Sequence, residues 1–329
     1  MGSQQQSVNN LFRLFTNPDL LYIVKVIISL CAMLFAFDMV SGEKESHTLS
    51  LLLSNGFRRT SLITGKWFGF ISFIVPFVIV VLLGTIFILF SPHVKLNHEQ
   101  WAKLGLFILS SVIYLAFFFS LGLFISCITH SSASSLVFSL FLWALIVFVT
   151  PNLGNTLARQ LVRIPSVQQL EMKREHIWIK EVFEMTQSMR QGDSSRSFDK
   201  VLATINSEND KLMADYRTRF NRLVTLSKNI TRFSPSAAFT YLATDIAGTG
   251  IEEEHKMKEA VLNYKDMVWN KPIDSGGNIL GDFPAFTFKR STIKEVLAAG
   301  GLMNFTILIL FNLISFAAAY VAFIRYDVR

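Results

Sequence analysis

Five apolar runs, each close to the length that crosses a hydrocarbon core, constrain this chain more than anything else in it. They cover residues 20–40, 67–90, 104–128, 133–149 and 302–324. A spanning helix needs roughly 20 apolar residues. Backbone groups in lipid must be satisfied within the segment, so each run reads as a helix. The fourth run is the shortest and is expected to be tilted, re-entrant or extended past Pro151. Composition agrees: 51% of the 329 residues are hydrophobic, 17% are charged, and the mean hydropathy is +0.41. That apolar excess is more than a soluble domain carries. The expected fold class is all-α, a polytopic membrane helix bundle of about five spans.

The net charge of +7 and pI near 9.4 could point to nucleic acid. In a membrane protein they reflect Lys and Arg in cytoplasmic loops, and no basic run with interleaved aromatics argues otherwise, so no nucleic-acid partner is expected. The only cysteines, Cys31 and Cys127, lie in apolar runs and read as small fillers without disulfide or metal spacing. The first ten residues are polar, and the first apolar run is too long and too far in for a secretory signal.

Charge also orients the chain. Residues 41–66 hold Lys44, Arg58, Arg59 and Lys66, and the tail holds Arg325 and Arg329, so both are expected on the cytoplasmic side. The 91–103 loop, with Lys95 and Lys103, then lies outside. So does the stretch 152–300, where charge counts little because long loops cross regardless. The tail 1–19, whose only basic residue is Arg13, is expected outside too. The layout is an extracytoplasmic tail 1–19, a membrane domain 20–151 with the cytoplasmic loop 41–66, an extracytoplasmic insertion 152–300, and a last span with cytoplasmic tail, 301–329.

The insertion reads as helical. Pro165 suits the first turn of a helix running to Gly192, with Trp178, Val182, Met185 and Met189 along one side. A second helix repeats Phe198, Leu202, Ile205, Asn209, Leu212, Tyr216, Arg219, Leu223, Leu226 and Ile230 at alternating spacings of three and four, a coiled-coil seam. A short Gly-Asp-Ser-Ser turn joins them into an expected antiparallel hairpin. Residues 237–246 then suggest a short amphipathic helix near the membrane face. The acidic opening Glu252, Glu253, Glu254 suits a helix N-terminus. Residues 272–284 read as loop, and Thr292 with Glu295 forms a capping box before the last span.

Catalytic chemistry is thin. The six histidines show no metal-ligand spacing, and Gly65-Lys66 lacks both the upstream Gly and the following Ser or Thr of a phosphate loop. No Gly-x-Ser-x-Gly elbow is present. The chain is expected to be neither an enzyme nor a nucleotide binder and to hold no cofactor. Lys25 and Asp38 fall near opposite ends of the first run and can reach an interface, as can Arg325 and Arg329. No ionisable group sits at mid-depth, which disfavours an ion-driven transporter. Energy for any transport would come from another polypeptide.

The most informative stretch is 37–66. Ser41-Gly42 is expected to break the helix leaving the membrane, Glu43 to Glu45 to open a new element, and Thr48, Leu49, Leu51, Leu52 and Leu53 to make it amphipathic. Residues alone favour an interfacial helix that anchors the loop. The stretch also resembles the type-2 ABC exporter permeases, in which an acidic residue ends a membrane helix and Ser-Gly-Glu-x-Glu-x-x-Thr-Leu follows, then a turn, an Arg and a Gly-Lys. Glu43, Glu45, Thr48, Leu49, Arg59, Gly65 and Lys66 match that pattern. Pro151-Asn152-Leu153-Gly154, Ser234-Pro235-Ser236-Ala237-Ala238 and the terminal Arg325-Tyr326-Asp327-Val328-Arg329 resemble a branch with large extracytoplasmic insertions.

The resemblance implies that Ser41, Gly42, Glu43, Glu45, Thr48, Leu49, Arg58, Arg59, Gly65 and Lys66 couple to an ATP-binding cassette subunit. ATP and Mg would belong to that partner. It further implies a second permease subunit, as homo- or heterodimer, a bacterial inner-membrane location, and a six-span plan of which this chain lacks the first span. Export driven by the partner ATPase is the leading function. The alternatives are ATPase-driven mechanotransmission to an extracytoplasmic protein bound on the insertion, and a sensor or scaffold without an ATPase.

Overall fold

A computed structural model describes residues 19–90, 96–191, 197–269 and 285–326. The tail 1–18, the expected turn at 192–195, the expected loop 272–284 and Arg329 lie outside them. Among the described residues every regular element is a helix. Five helices are long and apolar enough to cross a membrane: Leu20–Glu45, Arg59–Phe87, His98–Ile128, Ser132–Leu161 and Ile293–Arg325. The chain is an all-α, multi-pass membrane bundle. Contacts divide it into two compact units, one of residues 150–232 and the other of the residues before and after that stretch.

In the larger unit the third span is the hub. Two-thirds (67%) of its most apolar window is buried, against 6% for the second span, and it packs on the first and fifth spans. Lipid tails are as apolar as leucine, so helices in a membrane associate through close approach and hydrogen bonds. The third span supplies both. A Cβ on Gly122 would stand 2.7 Å from the Met33 carbonyl oxygen and 3.1 Å from Ala36 Cβ, so the first and third spans meet where neither has bulk. From the fifth span, Asn312 Nδ2 donates to the Ile113 carbonyl at 3.1 Å.

Three spans contain a wide π turn: Ile23–Ile28 in the first, Leu145–Val149 in the fourth and Leu297–Gly301 in the fifth. Each has a local cause or remedy. Pro151 has no N–H and crowds the carbonyl four residues back, and the turn containing Val147 widens to let the helix continue to Leu161. The fourth run is thus extended past Pro151. Gly300 takes φ 126°, which favours glycine. In the first span the Lys25 carbonyl accepts from Ser29 Oγ at 2.6 Å and from the Tyr114 hydroxyl at 3.0 Å.

A buried helix, α1 (Pro235–Ala247), packs against all three π turns. Phe239 stacks on Tyr114 with centroids 4.3 Å apart and planes 9° apart. Proline occupies its first turn, and Gly248 at φ 70° ends it. The short amphipathic helix expected near the membrane face over 237–246 is present as α1, but it is enclosed where a half-exposed helix was expected: Ala238, Phe239, Leu242 and Ala243 have no exposed surface. Next comes α2 (Ile251–Trp269), with Glu252, Glu253 and Glu254 in its first turn. The capping box Thr292–Glu295 opens the fifth span as expected.

The smaller unit holds α3 (Thr150–Leu161), α4 (Val167–Arg190) and α5 (Phe198–Thr231). Pro165, expected in the first turn of α4, lies just before the helix, and Ser166 caps it in a box with Gln169. The antiparallel pairing of α4 and α5 is present, but α5 packs on α3 as well. Of the expected seam Ile205 is covered, but beside it Val201 is covered while Phe198 and Leu202 are exposed. Trp178 and Met189 of α4 are exposed too.

Replacing Gly122 by Leu is expected to force the first and third spans apart, at a cost of about 1–3 kcal/mol. Thermal unfolding in detergent should show a clear drop, whereas Gly105→Ala, where a Cβ meets open space, should leave the midpoint unchanged.

Candidate functional site

The 41–66 loop begins where the first span's helix breaks. The break falls at residues 37–40, before Ser41, and residues Ser41–Glu45 form a one-turn helix. This corrects the expectation that Ser41-Gly42 breaks the helix and that Glu43 starts the next one. The physical reason is a set of side-chain bonds that stand in for the lost backbone bonds. Ser126 Oγ of the third span accepts from the Val40 and Ser41 N–H groups, both at 2.9 Å. Ser41 Oγ donates to the Phe37 carbonyl at 2.9 Å. Gly42 is required because a Cβ there would run into the Asp38 carboxylate.

The charged residues of the loop then sit at the ends of the spans. Lys44, only 8% exposed, donates to the carbonyls of Cys127 and, at 2.9 Å, Thr129, and its ammonium lies 4.2 Å from the centre of the Tyr326 ring. It thereby closes the C-terminal end of the third span. Arg59 Nη1 donates to the Ile324 and Tyr326 carbonyls at 2.8 and 2.7 Å, closing the fifth span. Lys66 donates to the Met39 carbonyl at 2.5 Å, in the turn that ends the first span, and pairs with Glu43 at 2.6 Å.

The acids take the complementary place. Glu45 Oε2 accepts the Ser132 N–H at 2.9 Å, and Asp38 Oδ1 accepts the Ser132 hydroxyl at 2.6 Å. Ser132 is the first helical residue of the fourth span. Helix C-termini carry partial negative charge and N-termini partial positive charge, so every one of these contacts has the favourable sign. Four of the five spans are tied to one loop of 26 residues.

Beyond Glu45, His47 at φ 56° turns the chain into the loop helix, Thr48–Ser54. Thr48 Oγ1 lies 3.0 Å from Ser46 Oγ, and Leu49, 2% exposed, anchors the helix. Its other face is free: Leu51 is 64% exposed, and Phe57, after Gly56 at φ 83°, is 55% exposed. Arg58 is exposed beside it. Open space surrounds Gly65, and no contact explains a glycine there.

Of the residues singled out from sequence, Ser41, Gly42, Glu43, Glu45, Arg59 and Lys66 converge on the span ends together with Asp38. Thr48 and Leu49 hold the loop helix, and Arg58 and Gly65 stand apart. Lys25 is half-buried in the first span and Arg325 ends the fifth. Sequence reasoning missed Lys44, Ser126, Ser132 and Tyr326 as parts of one site. Only Lys44 left a trace, since it shares a face of a short helix with Ser41.

Replacing Lys44 by Met should leave buried carbonyls without a donor, a loss of about 1–3 kcal/mol. A thermal melt of the purified chain should fall accordingly, while Arg58→Gln should stay within about 0.5 kcal/mol of the parent.

A family model described as ABC-2 family transporter protein matches residues 1–328. No curated protein and no solved structure matches the chain. The family's members are membrane components of ABC transporters that pair with an ATP-binding subunit, and the match runs over the spans, the loop and the helical insertion alike. The chain belongs to the ABC-2 family of transporter proteins and is a permease subunit.

Proposed function

We propose that this permease exports its substrate with energy from a separate ATP-binding subunit, which docks on the 41–66 loop from the cytoplasmic side of a bacterial inner membrane. One observation carries the reading. The charged residues of the loop bind inward to four spans, and the loop helix turns Leu51 and Phe57 outward. A displacement of the loop helix is delivered to the ends of those spans together, because each cap is a short charge-assisted bond. ATP and Mg act in the partner, whose closure supplies a rigid-body push. The scarcely covered second span, with Val80, Leu83 and Phe87 well exposed, is where a second permease subunit has room to pack.

This division separates two roles within the motif. Leu51, Phe57 and Arg58 recognise the ATPase, with the apolar pair as anchors of the kind that dominate interfaces. Glu43, Glu45, Arg59 and Lys66 transmit. A second reading, relay of the same motion to a protein outside the membrane, is favoured by Ile179 and Phe183, which are exposed on α4.

The double variant Leu51→Asp, Phe57→Asp should weaken ATPase binding by about 2 kcal/mol or more with an unchanged melting midpoint. The check is co-purification with a candidate ATP-binding cassette subunit co-expressed with the chain. Charge reversal at Glu43 and Glu45 should instead lower the midpoint first. Full ATPase recovery with the double variant would sink the docking assignment.

A further inference from the structure

The smaller unit contains a cleft of about 880 Å³ formed by α3, the start of α4 and the second half of α5. Its size falls within the roughly 300–1,000 Å³ of small-molecule sites. Four cations line it: Arg159, Arg163, Lys173 and Arg219. The first three are exposed and have no carboxylate within ion-pair distance among the described residues. The only acid in the lining, Asp215, is held by Arg219 at 2.9 Å. Among the described residues the cleft therefore presents three exposed cations without a counter-charge, an environment that favours an anion.

The rest of its wall is apolar. Leu170 is 6% exposed, and Leu212 and Leu223 are half-buried beside it. Tyr216 and Phe220 stack at 6.2 Å with planes 19° apart. A small hydrophilic anion would leave that wall unused, whereas an amphiphile with a charged head would fill both parts.

The wider charge pattern narrows the class further. Residues 150–175 and 213–232 carry nine Lys and Arg against three Asp and Glu, while residues 176–212 carry five against six. The positive charge is concentrated on the segments nearest the cleft, as expected of a surface that meets anionic headgroups.

We propose that this cleft binds an anionic phospholipid, its phosphate on Arg159, Arg163 and Lys173 and the upper part of its acyl chains along the leucine and aromatic wall. The site is independent of the ATPase, so its test needs neither partner nor nucleotide. The full chain, purified in a non-ionic detergent, is exposed to an equimolar mixture of phosphatidylglycerol and phosphatidylcholine, and bound lipid is counted by native mass spectrometry. Phosphatidylglycerol adducts should dominate. The triple variant Arg159→Gln, Arg163→Gln, Lys173→Gln should lower its affinity at least about tenfold, in line with the worth of surface cations at headgroups. The control Lys180→Gln, Arg190→Gln, Lys200→Gln, remote from the cleft lining, should leave it unchanged. Both variants are checked for parental helicity and melting; if the first fails to fold, the single changes Arg163→Gln and Lys173→Gln take its place. Equal adducts of the two lipids, equal loss in both triple variants, or no loss in the first would overturn the proposal. So would displacement of phosphatidylglycerol by millimolar inorganic phosphate, which would make the cleft a free-anion site.

Discussion

In a membrane every backbone polar group needs a partner, and wherever a span ends or bends, helix geometry stops supplying one. The structure meets that demand with side chains from a single loop. Lys44 and Arg59 donate to carbonyls at the ends of the third and fifth spans, and Lys66 to one in the turn after the first. Glu45 and Asp38 receive the donors at the start of the fourth. These bonds are few, but they decide where four helices stop, and the packing of the hub span follows from that register. Ser126 shows the same economy from inside the bundle: one hydroxyl accepts the two N–H groups freed where the first span breaks.

Three of the spans carry a different device away from the loop. They widen into π turns, and α1 fills the space among them. A π turn shifts the register of everything beyond it by one residue and recurs at functional positions. The bundle thus combines opposite devices, fixed charge at the loop and adjustable backbone around α1.

Much of this was legible in the sequence because it is local. Run length and composition reveal the five spans, Thr292 with Glu295 reveals a cap, and Glu252 to Glu254 reveal a helix start. What was not legible depends on contacts distant in the chain. The helix over 237–246 carries an amphipathic pattern that reads as a half-exposed element, yet the same small and apolar residues suit burial among spans. The seam of α5 was read for one partner along its whole length, whereas α3 also packs on it, and Phe198 and Leu202 of that seam are exposed while Val201 is covered. Lys44 looked like one more cytoplasmic charge, since nothing near it in sequence reports that carbonyls 82 or more residues away lie within reach of its ammonium.

The inward direction of the loop charges also changes what the family motif means physically. A motif read as Ser-Gly-Glu-x-Glu suggests residues displayed to a partner, and acidic residues at a protein surface invite that view. Here Glu43 is bound to Lys66, and Glu45 to the backbone of the fourth span. Ser41 is enclosed, and Gly42 is small because Asp38 stands against it. Such residues cannot vary freely whatever docks outside, because each is matched to a helix end of the same chain. The outward positions, Leu51 and Phe57, are well exposed, so under the proposed docking it is the partner's surface that constrains them.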